Sequence, residues 1–204
     1  MKIVIANESH FKYANIICET IADSAKVRGT GIAKRTPEYI IKKLENGNAV
    51  IALDGETFAG FCYIEVWEHE QYVANSGLIV HPDFRAQGLA KKIKKKVFEL
   101  SKQKFPHAKI FGITTGLPVM KINYELGYKP VTFSELTEDP EFWKGCQTCK
   151  NFDVLTRTDQ KMCLCTGMLY DPETKKENKK VNGKAFKRLK SIKESLLLKK
   201  RSKE

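Results

Sequence analysis

At 204 residues, 42% hydrophobic and 29% charged, the chain can bury a sizeable core, yet no stretch nears the ~18 uninterrupted apolar residues of a membrane span. The formal net charge of +12 is unevenly placed: residues 174–204 hold 13 Lys/Arg against 3 Asp/Glu, and the remainder 23 against 21. A claim about nucleic acid made from overall charge is therefore a claim about the tail alone. The first residues, Met1 to Glu8, turn polar too soon to read as a signal peptide. Six cysteines without such a leader read as reduced thiols, and a cytoplasmic protein is expected.

In chain order, residues 2–6 predict a short strand. Asn7 or Ser9 caps a helix with Ala14, Ile17, Ile21 and Ala25 on one face. A glycine-broken cationic stretch, residues 28–35, precedes a helix opened by Thr36-Pro37-Glu38 and closed at Asn46-Gly47. Strands over 49–53 and 58–67 join at Asp54-Gly55, and a further strand covers 72–80. A helix then runs to about Lys104, followed by a strand over 109–114, a helix over 118–126 and a last strand over 128–133.

The most informative stretch is Val80-His81-Pro82-Asp83-Phe84-Arg85-Ala86-Gln87-Gly88-Leu89-Ala90. It takes a strand through a glycine-bearing turn into a helix with Leu89, Ile93, Val97 and Leu100 on one face. Lys91, Lys92, Lys94, Lys95 and Lys96 read mostly as the solvated side of that helix. The first backbone N–H groups of a helix are unpaired, the macrodipole is positive there, and Gly88 admits a ligand close to the backbone. A phosphate or pyrophosphate is the expected ligand.

These residues resemble the pyrophosphate loop of the GNAT superfamily of acyl-CoA-dependent N-acyltransferases, Arg/Gln-x-x-Gly-x-Gly/Ala, here Arg85 to Ala90. Glu125-Leu126-Gly127-Tyr128 is similar to that family's Leu-Gly-Phe/Tyr ending of the last helix, and the order of elements over residues 2–133 matches its fold. The resemblance implies an α/β (α+β) fold, with a mixed, mostly antiparallel central sheet flanked by helices. It implies an amine attacking the thioester of acetyl-CoA (or another short acyl-CoA) directly, in a ternary complex. Arg85, Gln87, Gly88, Leu89 and Ala90 would hold the pyrophosphate, while Ile79 and Val80 would pair with pantetheine and offer a backbone donor to the carbonyl.

The family's usual general acid is a tyrosine four residues before the glycine of Leu-Gly-Phe. Counting back from Gly127 gives Asn123, with Tyr124 one place on and ~100° around the helix. Asn123 is expected to face the cofactor, and Tyr124 is the alternative acid. Glu65 is the first candidate base, with Glu68 and His69 as others, and Asn75 and Ser76 are candidates for holding a water. Arg28, Lys34 and Arg35 form a cationic loop suited to a carboxylate-bearing acceptor, so an amino acid such as glutamate is the expected amine.

Beyond that core, Cys146-x2-Cys149 and Cys163-x-Cys165 have spacing suited to four thiolates on one structural zinc. The segment reads as poor in apolar mass, so a metal would offset its ordering entropy. Cys18 and Cys62 read as core residues. The basic tail, with Phe186, Leu189, Ile192 and Leu196 at helical spacing, is expected to dock on its own domain or to touch RNA or the ribosome. The organisation expected is a GNAT domain over 1–135, a cysteine-rich extension packed on it over 136–173, and the tail over 174–204. Two other functions fit the residues: a protein N-terminal or lysine acetyltransferase, and a non-catalytic acyl-CoA-binding scaffold for RNA or protein.

Overall fold

The computed structural model describes residues 1–28 and 34–174. The chain divides into two units, Met1–Tyr170 and Asp171–Glu204. Of the second unit only Asp171 to Thr174 are described, where the Glu173 amide donates to the Asp171 carboxylate at 2.8 Å. The expected basic helix thus lies outside the described residues.

In the first unit, β1 (Lys2–Ile5) leads through a 3-10 turn capped by Asn7 into α1 (Ala14–Arg28). The helix α2 (Pro37–Glu45) starts where the Thr36 hydroxyl accepts from the Tyr39 amide at 3.3 Å and Pro37 supplies a preset φ. It buries Ile40 and Leu44 and stops at Asn46-Gly47, where Gly47 takes φ 58°. Then come β2 (Ala49–Asp54), β3 (Thr57–Trp67) and β4 (Tyr72–Val80), and next α3 (Leu89–Lys104), β5 (Lys109–Thr114) and α4 (Leu117–Glu125). The chain continues with β6 (Lys129–Val131), the short helices α5 (Pro140–Lys144) and α6 (Phe152–Arg157), and β7 (Thr166–Tyr170). Among the described residues no helix is long and apolar enough to cross a membrane.

The seven strands form one sheet in the order β1-β2-β3-β4-β5-β7-β6, antiparallel throughout except for the β4–β5 pair. This is the mixed α/β sheet expected. The sequence reading closed the sheet at residue 133, whereas β7 enters between β5 and β6. The far end of the cysteine-bearing segment is therefore a strand inside the sheet.

Strand alternation puts Cys62, Ile64 and Val73 on one face, where α3 covers them with Ile93, Val97 and Leu100. On the other face α1 and α2 cover Phe61 and Tyr63 through Ile17, Ile21, Ile40 and Leu44. A third cluster covers Ala74, Phe111 and Leu169 with Phe133, Leu136, Trp143 and Leu155. The segment carrying the cysteines has an aromatic core of its own.

Candidate active site

Two departures from regular pairing create the site. Among the described residues, β4 and β5 pair only at Tyr72↔Lys109, Val73↔Ile110 and Ala74↔Phe111, then run on to Val80 and Thr114 without pairing to each other. Between Phe61↔Ile79 and Tyr63↔Ser76 the β3–β4 register slips, so Cys62 faces both Gly77 and Leu78. Gly77 has φ 64°, and a Cβ there would lie 2.3 Å from the Tyr63 ring. Only glycine fits this bulge.

A cavity of about 440 Å3 opens where the strands part. Asn75, Ser76, Gly77 and Leu78 of β4 line it, as do Gly112, Ile113 and Thr114 of β5. From the α3 and α4 side it receives Lys94, Val119 and Asn123; from the opposite side, Arg35, Tyr39, Tyr63 and Glu65. Phe142, Cys146, Phe152 and Leu155 form the remaining wall.

Glu65 is buried at 7% exposure. Its Oε1 accepts from the Tyr39 hydroxyl and lies 3.6 Å from an Arg35 guanidinium nitrogen, whose Nε donates to the Tyr63 hydroxyl at 2.6 Å. Burial, then the nearby Glu65 charge, pushes both phenols well above their ordinary range, so they remain donors. Such a carboxylate is oriented and paired at the cavity wall. Asn123 is 1% exposed and its Oδ1 has no hydrogen-bond partner among the described residues. A buried acceptor left open at a cavity wall points to a ligand donor.

The residues expected to hold pyrophosphate stand at the start of α3. Gly88 takes φ 72° as its N-cap and, like Arg85 and Gln87, is exposed. Leu89 is buried in the core at 2% and Ala90 is half-buried, so these two reach a ligand only through their backbone. Arg85 is a tie: Nε donates to the Val80 carbonyl at 3.2 Å and Nη2 to the Ser24 hydroxyl at 3.4 Å. Val80 and Ile79 end β4 beside this turn, with the Ile79 side chain in the α1–α2 core.

Other expectations are corrected. Tyr124 is 71% exposed and lines no part of the cavity, as its ~100° displacement from Asn123 requires. Glu68 is occupied, accepting from the Thr137 hydroxyl at 2.5 Å and the Glu138 amide at 2.7 Å. His69 is exposed, and the buried Asn75 side chain donates to Ser101 and accepts from Tyr128. Lys94, read as part of a solvated face, is buried at 2%. Of the cationic loop, Arg35 enters the cavity and Lys34 is exposed; the side chain of Arg28 and residues 29–33 lie outside the described set.

Cys146, Cys149, Cys163 and Cys165 converge on one cavity wall. Among the described residues, however, no group of three or more His, Cys, Asp or Glu side chains is arranged to hold a metal ion, so the expected structural zinc is not supported. The argument for it assumed little apolar mass. Instead Trp143 is 4% exposed, packs on Phe133 and Phe142, and donates Nε1 to the Thr137 carbonyl at 2.9 Å. Hydrophobic burial orders this segment. It also pushes up the thiols, Cys146 to about 11 and Cys165 to about 12.

Sequence reasoning missed Tyr39, Tyr63, Gly77 and Lys94. A glycine inside a strand pattern is a bulge signal. Lys94 shares helical spacing with the buried Phe98 and Ser101, a second stripe beside the one recognised.

Residues 14–118, just over half the chain, match the Acetyltransferase (GNAT) family, and the protein belongs to that family. Similar solved structures include an N-acetylglutamate synthase from Neisseria gonorrhoeae complexed with coenzyme A and N-acetyl-glutamate. Its TM-score is 0.59 at 13% identity, with 83% of this chain and 34% of that one covered, so the present chain spans about a third of the Neisseria protein. A phosphinothricin acetyltransferase from Sinorhizobium meliloti in complex with acetyl-CoA has TM-score 0.55 at 13% identity, covering 83% and 87%. A GNAT-family acetyltransferase from Staphylococcus aureus has TM-score 0.58 at 15% identity, covering 84% and 98%. At such identities the likeness concerns the fold. No curated protein matches the sequence.

Proposed function

We propose that the protein transfers an acetyl or short acyl group from acyl-CoA to the amine of a small carboxylate-bearing substrate, an amino acid, in a ternary complex. The observation that carries this reading is the cavity through the β4–β5 gap, which joins the α3 side of the sheet to the buried Glu65–Tyr39–Arg35 cluster. The diphosphate of the carrier rests on the amides at Gly88, its arm follows β4 from Val80 past the Gly77–Leu78 bulge, and its thioester lies in the cavity where β4 and β5 part. The acceptor enters from the Arg35 side. Its α-amine attacks in the neutral form and passes its proton to Glu65 as the C–N bond forms.

A volume of about 440 Å3 shared by acyl group and acceptor suits a small amine. The N-acetyl-glutamate in the Neisseria complex supports an amino acid in that place. Arg35, which lines the cavity, supplies the cation for its carboxylate.

The test is thiol release from acetyl-CoA across a panel of amino acids and amines, with Glu65→Gln as control. Turnover with an amino acid, lowered ~10²-fold or more in the variant, is expected. Turnover confined to peptide N-termini or protein lysines would replace the acceptor class. CoA binding without turnover on any amine would make the protein a scaffold.

A further inference from the structure

Lys94 is a buried cation with no carboxylate partner among the described residues. It lies six residues along α3 from Gly88, a rise of ~9 Å, and is 2% exposed. Its Nζ is 3.5 Å from the Asn75 carbonyl oxygen, the outer limit of a hydrogen bond, and 5.2 Å from the Tyr128 ring centroid. A Cβ on Gly112 would come within 4.0 Å of it, which sets the ammonium in the gap between β4 and β5. Among the described residues no carboxylate pairs with it. Asn123, lining the same cavity from α4, keeps an open Oδ1. A buried ammonium held by one long hydrogen bond and a buried carbonyl oxygen with no partner among the described residues, both at one cavity, are costly unless a ligand completes them.

We propose that Lys94 is a catalytic residue, the acid that protonates the departing CoA sulfur, while Asn123 Oδ1 accepts an amide N–H of the pantetheine arm. This rests on the acyl-CoA reading of the cavity. A carrier with its diphosphate at Gly88 and its arm along β4 runs five residues from Val80 to Asn75, ~16 Å, and so brings its sulfur to the depth of Lys94. In the step, the amine nitrogen bonds to the acyl carbon and the C–S bond breaks with its electron pair on sulfur. A proton from the Lys94 ammonium completes the thiol. The neutral amine left behind regains a proton from water after CoA departs.

Burial lowers Lys94 from an ordinary 10.5 to about 8, beside the ~8.5 of an ordinary thiol, so the proton is both present at pH 7 and transferable. The titratable groups facing it are Cys62 of β3, pushed up to about 11 by burial, and Tyr128 ahead of β6, also pushed up. Across the cavity stand Arg35, Glu65, Glu141 and the four cysteines.

The decisive experiment titrates the thiol of CoA bound to the wild-type protein by its ultraviolet thiolate absorbance, alongside Lys94→Met and Lys94→Arg. In the wild type the bound thiol should ionise below free CoA by ~1 pH unit or more, and Lys94→Met should abolish that shift. Both variants should lower kcat ~10²–10⁴-fold with KM for acyl-CoA within about threefold. The alkaline fall of the wild-type rate near pH 8 should vanish in Lys94→Met. If neither variant folds, the wild-type thiol titration decides. A bound thiol ionising at or above free CoA overturns the proposal, as do variants within tenfold of wild-type kcat or an acyl adduct on Lys94 by mass spectrometry. If no amine is turned over, the transferase reading fails while the thiol titration still reports on Lys94; absence of CoA binding sinks both.

Discussion

Replacing Lys94 by methionine should make the protein more stable and less active. In the folded state the ammonium is buried, and its pKa falls from 10.5 to about 8. At ~1.36 kcal/mol per pH unit this is a cost of about 3 kcal/mol, carried in full below pH 8. The unfolded chain binds the proton more tightly between pH 8 and 10.5, so this group makes wild-type stability rise through that window as both states become neutral. Methionine has a similar length and no charge. Its loss is the Tyr128 ring contact, worth about 2 kcal/mol when desolvated. The net gain at pH 7 is about 1 kcal/mol, or ~2–4 °C in Tm for a chain of this size. Urea unfolding at pH 7 and pH 10 measures both the gain and the pH slope. A variant no more stable than wild type at pH 7, with the same rise toward pH 10, would refute the argument that the cation is buried at a cost.

Gly77→Ala tests the bulge. The left-handed φ and the 2.3 Å approach to Tyr63 together cost about 2–5 kcal/mol, read as a Tm fall of ~5–15 °C, and truncating Tyr63 as well should recover the clash portion. An unchanged Tm removes the glycine requirement. At Gly88 a Cβ meets nothing within 4 Å, but φ 72° strains any other residue by about 1–2 kcal/mol; Gly88→Glu also sets an anion against the diphosphate, so calorimetry should show CoA binding lost, and unchanged affinity would count against the loop. Because the thiolate is the nucleophile and burial pushes Cys146 to about 11 and Cys165 to about 12, both should alkylate at pH 8 ~10²-fold more slowly in the native protein than in guanidinium. Equal rates would show an open wall.

How much of this was legible in the sequence depends on how local each determinant is. The turn into α3 was readable because Gly88, the preceding proline and the stripe Leu89–Ile93–Val97 are neighbours in the chain. Arg35 and Glu65 were readable as candidates by charge, but their meeting depends on α2 crossing β3. Tyr39 and Tyr63, which orient them, carry no signal beyond being aromatic. Lys94 was masked by four surrounding lysines that do face outward, since composition overrides a single inward position. For the cysteines the spacing spoke for a metal, and the aromatic residues ahead of them, Phe142 and Trp143, spoke for packing; the latter prevailed.

The placement of β7 bears on how the molecule is made. Residues 166–170 are among the last of the first unit to leave the ribosome, yet they zip between two strands synthesised some 35 to 60 residues earlier. Until they arrive, β5 presents a bare rim and β6 has nothing to lie against. A nascent chain stalled before Thr166 is thus a half-closed sheet with an adhesive border. Closure of the sheet waits on the release of this final strap, against which Phe133, Leu136 and Trp143 pack through Leu169.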